Sequence, residues 1–216
     1  MLKDRDIREG LFDFLEDKYG KIRIFEEKTI GRTRADVVMV TRDAIYGIEI
    51  KSDADTYVRL KRQIKDYNRF YDMNYVVVGT SHAMHITEHV PEFWGIITVE
   101  EVDGILDFYV LRHPTTNPLI ELPMKLSILW RPELAHIQEI NEMPKYKDKS
   151  KAFVIDKILA KIPDELLRVQ ICEELFQRDY DSIGEVIKEY RRVNGRGAKK
   201  TGKRAVKRAV RKKHRM

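Results

Sequence analysis

The sequence predicts an α/β fold, a three-layer sandwich around a mixed central sheet, followed by a helical region and a basic tail. Three observations predict it. Over roughly residues 3–110 the apolar pattern runs helix, strand, strand, strand, helix, strand, strand. Within it, NYVVVGT is short and almost wholly apolar, as in a strand covered on both faces. Beyond the proline-rich stretch RHPTTNPLIELP the pattern becomes helical, and the last 26 residues carry charge of one sign only. The expected division is a core at 1–112, a helical extension at 113–190 and a basic tail at 191–216.

Each element has its own signal. Ile7, Leu11, Phe14 and Leu15 recur at helical spacing, Asp4 or Asp6 can cap the start, and Gly20 ends the helix. KIRIFEEKTI reads as a strand and GRTR as a turn. RADVVMV and AIYGIEIKS are further strands joined through TRD. A second helix over about 56–71 places Leu60, Ile64, Tyr67 and Tyr71 on its inner face. NYVVVGT and FWGIITVE complete the sheet. Helices are then expected at 123–140, with a start or kink at Pro132, and at 149–161, 163–178 and 181–192.

Composition narrows the function classes. A single cysteine, Cys172, excludes an intrachain disulfide and fits a reducing, cytoplasmic setting. No apolar run approaches the roughly 18–20 residues of a spanning helix, and the opening MLKDRDIREG lacks the apolar centre of a signal peptide, so no membrane partner is expected. GRT and GRG lack the spacing and following Lys-Ser/Thr of a phosphate loop, so no ATP site is expected. His82, His85 and His89 read as surface histidines rather than zinc ligands, and Cys172 as a core residue.

The odd stretch is IYGIEIKSDAD. Glu49 and Lys51 interrupt a segment whose other residues are built for burial, and alternation puts both on the face opposite Ile48 and Ile50. Asp36 lies in the preceding strand, 13 residues earlier, where the return through TRD can bring it beside Glu49. Two carboxylates about 4–5 Å apart in low dielectric repel unless one is protonated or a cation sits between them. Mg²⁺ or Mn²⁺ would remove the repulsion, polarise a phosphodiester and lower the pKa of a bound water. A strand-end ion pair explains Glu49 and Lys51 equally simply. Glu-x-Lys also occurs at Glu16/Lys18 and Glu26/Lys28, but only the third copy has its matching aspartate on a strand and an amphipathic helix after it.

The run EEKTIGRTRADVVMVTRDAIYGIEIKSDADTYVRLKRQIKDYNRFYD, residues 26–72, resembles the PD-(D/E)xK nuclease superfamily, and within it the sce7726-like family. The resemblance implies a restriction-endonuclease-like fold and a Mg²⁺- or Mn²⁺-dependent deoxyribonuclease. It implies cleavage leaving 5′-phosphate ends, with endonucleolytic ahead of exonucleolytic cutting. Asp36 and Glu49 would be metal ligands, joined by the Ile50 carbonyl, and Lys51 would orient the attacking water. The proline of the superfamily's name is absent, its place taken by Ala35. A further acidic residue often comes from the first strand or first helix: strand alternation lets only one of Glu26 and Glu27 face the site, and Glu27 is preferred here, with Glu26 and Glu9 as alternatives. Gln63 and Tyr67 resemble the QxxxY element of related exonucleases. With Arg59 they form one ridge at steps of four, able to face phosphates, and Arg34 is a further candidate contact. Asp53 and Asp55 read as helix-start caps or partners of basic residues.

The tail supplies the partner. Residues 191–216 hold 13 of the 41 Lys and Arg and none of the 35 Asp and Glu, leaving 28 basic against 35 acidic residues in the body. A basic arm on an acidic body fits a nucleic acid, with DNA expected ahead of RNA. Arg191, Arg192, Lys199, Lys200, Lys203, Arg204, Lys207, Arg208, Arg211 and Lys212 are the candidate contacts. A homodimer is the assembly expected if two strands of a junction are cut. The rival expectation is a non-catalytic nucleic-acid-binding or phage accessory protein on a nuclease fold. Deleting 191–216 is expected to weaken DNA binding and flatten its salt dependence; a binding-versus-salt slope equal to that of the full chain would exclude the arm as a contact.

Overall fold

A computed structural model describes residues 4–52 and 55–178. The tail contacts expected at 191–216, the helix expected at 181–192 and Asp53 lie outside the described residues. Helix α1 (Asp4–Tyr19) ends at Gly20, which takes the left-handed φ of 71° and donates its N–H to the Glu16 carbonyl. Six strands follow in one sheet in sequence order: β1 (Arg23–Ile30), β2 (Thr33–Val40), β3 (Ile45–Lys51), β4 (Met73–Gly79), β5 (Gly95–Val102) and β6 (Ile105–Arg112). β1–β2, β2–β3 and β5–β6 pair antiparallel, while β3–β4 and β4–β5 pair parallel, so the sheet is mixed as expected. Helix α2 (Leu60–Phe70), preceded by a 3₁₀ turn at Tyr57–Arg59, makes the crossover from β3 to β4; the short α3 (Thr80–Ala83) lies between β4 and β5.

Period-two alternation divides the strands between two cores. Ile7, Leu11 and Leu15 of α1 pack with Val37, Met39, Tyr46, Ile48, Ile50, Tyr75 and Val77 on one face. On the other, Val38, Val40, Ile45, Val76 and Val78 pack beneath Leu60, Tyr67 and Tyr71. The apolar run of β4 is thus buried on both sides, as its composition requires. Glu49 and Lys51 belong to the α2 face.

β6 was not legible as a strand. Leu106, Phe108 and Val110 pack toward α1, with Phe14 and Phe108 stacked 5.4 Å apart, but Ile105, Tyr109 and Leu111 are also apolar and exposed. Two apolar faces hide the alternation. The available signal was Asp103-Gly104, whose φ values of 53° and 77° are those of a tight two-residue hairpin turn.

The proline-rich stretch RHPTTNPLIELP is anchored to the end of α2. Asn117, 1% exposed, donates from Nδ2 to the carbonyls of Asn68 and Tyr71, both at 2.7 Å, satisfying groups at the end of α2. Four helices follow: α4 (Leu122–Ser127), α5 (Arg131–Ile140), α6 (Lys151–Lys161) and α7 (Asp164–Gln177). The expected 123–140 helix is therefore two, with Pro132 in the first turn of the second. Leu126, Leu134, Ile158, Ile171 and Cys172 extend the α2-side core without a break. Fully buried Lys125 pairs with Asp72 at 2.7 Å, and Asp72 also accepts the Ile45 N–H, tying α4 to the sheet. No described helix is long and apolar enough to cross a membrane.

Gly47 sets how closely α2 approaches. A Cβ there would lie 2.6 Å from Tyr67 Cδ1 and closer still to the Tyr71 ring. Gly47→Ala is expected to cost about 1–3 kcal/mol by overpacking, measured by urea unfolding; an unchanged midpoint would show that the tyrosines yield freely.

Candidate functional site: an acidic floor beneath arginines

β3 brings Glu49 and Lys51 to the α2 face at its end. Glu49 is 1% exposed, and both oxygens of its carboxylate accept hydrogen bonds. Oε1 accepts from Lys51 Nζ at 2.6 Å and from the Gln63 side-chain amide, while Oε2 accepts from the Tyr67 hydroxyl at 2.7 Å. Lys51 Nζ also donates to Gln63 Oε1 at 3.2 Å, closing a triangle of lysine, glutamate and glutamine. Gln63 and Tyr67 reach the same carboxylate because they stand four residues apart on one face of α2.

Asp36 joins from β2. The registered β2–β3 pairing runs to Val37 opposite Ile48, and the next rung would set Asp36 opposite Glu49. There the Asp36 carboxylate takes over from the backbone ladder: its Oδ2 accepts the Ile50 N–H at 2.9 Å. Its own N–H donates to the Tyr67 hydroxyl at 3.2 Å, so one phenol links the two acidic strands. Burial, then the neighbouring Glu49 charge, push the Asp36 carboxyl up to about 7 despite the Ile50 hydrogen bond. Asp36, Glu49, Ile50, Lys51 and Gln63 all line one open cleft of about 540 Å³.

The third acid expected from β1 does not reach that cleft. Glu27 has φ 55°, a left-handed conformation in mid-strand that breaks the alternation used to choose it. Its carboxylate is held by Arg8 at 2.7 Å and Arg34 at 2.6 Å. Glu26 is also bound by Arg8, at 3.0 Å, and Glu9 is exposed on α1 away from the cleft lining. The acid that α1 does place on the lining is Asp4.

Arg8 was missed in the sequence. Its guanidinium contacts Asp4, Glu26 and Glu27 and reaches the Asp36 carbonyl at 3.4 Å. The i, i+4 pair with Asp4 was the visible part of that network. Arg34 and Arg59 stand on the cleft lining, together with Arg32 and Arg62, which the sequence reading did not single out. Tyr67 requires correction: at 0% exposed its ring is closed to a base, and its hydroxyl acts on Glu49 instead. Asp55 lines the cleft but caps no helix; its Oδ2 accepts from the backbone and hydroxyl of Ser52. Cys172 is buried as expected, beside Lys125 Nζ at 3.6 Å, and burial pushes its thiol up to about 11.

Asp36 and Glu49 suit a hard cation in charge and donor type; burial is the main cause of the raised Asp36 pKa, and the smaller part due to the Glu49 charge is what a cation would relieve. Among the described residues, no group of three or more His, Cys, Asp or Glu side chains is arranged to hold a metal. Any cation here would therefore need oxygen ligands beyond side-chain carboxylates.

The fold and cleft define an α/β protein whose mixed sheet carries an acidic floor between arginine-bearing walls. A family model, that of bacteriophage P4 protein cII, matches residues 1–193, and the chain belongs to that family. No curated protein matches it. Among solved structures, that of Pyrococcus furiosus SfsA in complex with Ca²⁺ is similar at 14% identity and a TM-score of 0.32. The similarity covers 54% of this chain and 63% of that one.

The Asp36 carboxyl makes stability depend on pH. The unfolded chain releases this proton near pH 4, the folded chain only near 7, so stability falls as pH rises between the two. Asp36→Asn is expected to remove that component of the fall, read as Tm against pH; superimposable profiles for the two proteins would refute the raised pKa.

Proposed function

We propose that the chain is a Mg²⁺- or Mn²⁺-dependent nuclease of the PD-(D/E)xK type that hydrolyses phosphodiester bonds of DNA. One observation carries the reading: Asp36, Glu49, Lys51 and Gln63, from two strands and a helix, converge on a single cleft with arginines on its lining. A structural ion pair alone would explain Glu49 and Lys51, but not an Asp36 carboxyl held beside them at a raised pKa.

Asp36 and Glu49 would hold the metal, with the Ile50 carbonyl as the further oxygen ligand that the superfamily resemblance suggests. Bound there, it would polarise the scissile phosphate and lower the pKa of a water. Lys51 orients the water and offsets charge developing on the phosphorane, from a position fixed by Glu49 Oε1 and Gln63 Oε1. Gln63 keeps that ammonium beside the acids, and Tyr67 keeps the Glu49 carboxylate turned into the cleft. Cleavage leaving 5′-phosphate ends follows from the same resemblance. The basic tail would supply the long-range attraction that the acidic body lacks.

The second reading, a nucleic-acid-binding phage accessory protein, is favoured by the match of residues 1–193 to the family of a bacteriophage P4 protein. Labelled DNA and RNA incubated with Mg²⁺, Mn²⁺ or EDTA separate the two. Wild type is expected to cut DNA only with a divalent ion, and Glu49→Ala and Lys51→Ala to cut at least roughly 100-fold more slowly while still binding. Absence of cutting by wild type on every substrate supports the accessory role.

A further inference from the structure

The β1–β2 hairpin is fastened to α2 by one carboxylate. Gly31, at the tip, has φ 51°, and a Cβ there would lie 2.8 Å from Asp66 Oδ1. The next residue, Arg32, donates its backbone N–H to Asp66 Oδ2 at 3.1 Å. Only a residue without a side chain lets the turn come this close to the helix. Asp66 therefore fixes where the hairpin stands relative to α2, and so how far apart the two walls of the cleft are.

Both walls carry guanidinium groups. Arg32 comes from the hairpin, and Arg59 and Arg62 from the 3₁₀ turn and first turn of α2; all three are exposed and line the cleft that holds Asp36 and Glu49. Among the described residues none of the three lies within ion-pair distance of a carboxylate, whereas Arg34 is tied to Glu27. Guanidinium groups without anionic partners at the mouth of an acidic-floored cleft repel one another and need an anion. Their planar fork fits phosphate oxygens two at a time.

We infer that Arg32 and Arg62 form a clamp on the phosphodiester backbone, one arginine from each wall, with Asp66 as the positioning residue that sets their spacing. The clamp deepens the nuclease reading and rests on it for the identity of the ligand. A backbone gripped from both walls enters between hairpin and helix, directly above Asp36 and Glu49. The bases take no part, so the grip is indifferent to sequence. DNA and RNA share the recognised group.

The test is metal-free binding of the full chain to labelled DNA and RNA of matching sequence across a salt series. Arg32→Ala/Arg62→Ala is expected to lower the slope of log K against log salt by about 2, at about 0.9 per lost duplex DNA contact. Affinity should weaken roughly tenfold or more near 0.1 M salt. Asp66→Ala, with both arginines retained, should move the slope the same way, which a purely structural role would not do. Arg32→Gln/Arg62→Gln serves as the second variant should the alanine pair misfold. Loss on DNA alone, or on both nucleic acids, supports the clamp and names its ligand. An unchanged slope in the double variant overturns it, even if wild type cleaves DNA with Mg²⁺. A lowered slope in a protein that never cleaves keeps the clamp and removes the nuclease reading instead.

Discussion

A glutamate carboxylate that is 1% exposed survives as an ion only when every lone pair facing inward meets a donor, and Glu49 meets three. Lys51 comes from its own strand. Gln63 and Tyr67 come from α2, which must therefore dock in the register that brings both onto one carboxylate. Gly47, two residues before Glu49 on the same face, leaves the depth that lets Tyr67 and Tyr71 settle against β3. The same phenol then takes the Asp36 N–H, so β2 is fixed relative to β3 where their ladder stops. One buried charge thus organises two strands and a helix.

Much of this could be read from residue order because regular periods suffice for it. Period two placed Glu49 and Lys51 together, and the i, i+4 step placed Gln63 and Tyr67 on one ridge of α2. Where the backbone departs from a regular period the reading failed. Glu27 was chosen by alternation, yet its positive φ turns it to Arg8 and Arg34. Arg8 reaches residues 18 and 19 positions away, a contact that no local spacing predicts. β6 was hidden because both of its faces are apolar, and Asn117 because a stretch rich in proline and threonine gives no sign that one amide will be buried beneath it.

The helices after the sheet are not an appendage in packing terms. Lys125 neutralises Asp72 at the start of β4, and Arg178 forms a buried bidentate pair with Glu133 while lying 4.2 Å from the Trp130 ring. Withdrawing Asp72 or Glu133 would leave Lys125 or Arg178 as an uncompensated charge in the interior. The sequence showed a change of pattern near residue 112, but the apolar cluster crosses it, since Leu126, Ile158 and Ile171 belong with Tyr67 and Val76. Of these helices it is α4 that packs against α2, whose Gln63 and Tyr67 hold Glu49.

The Glu49–Lys51 pair also has a consequence for the history of such a chain. Buried ion pairs can often be exchanged for well-packed apolar side chains with no loss of stability, and sometimes with a gain. Net stability, as distinct from the register the pair imposes, thus gives little reason to keep this one. Selection for thermal robustness without selection for activity would be expected to erode it early, converting the end of β3 into ordinary hydrophobic core. Durability alone does not preserve the charged end of β3.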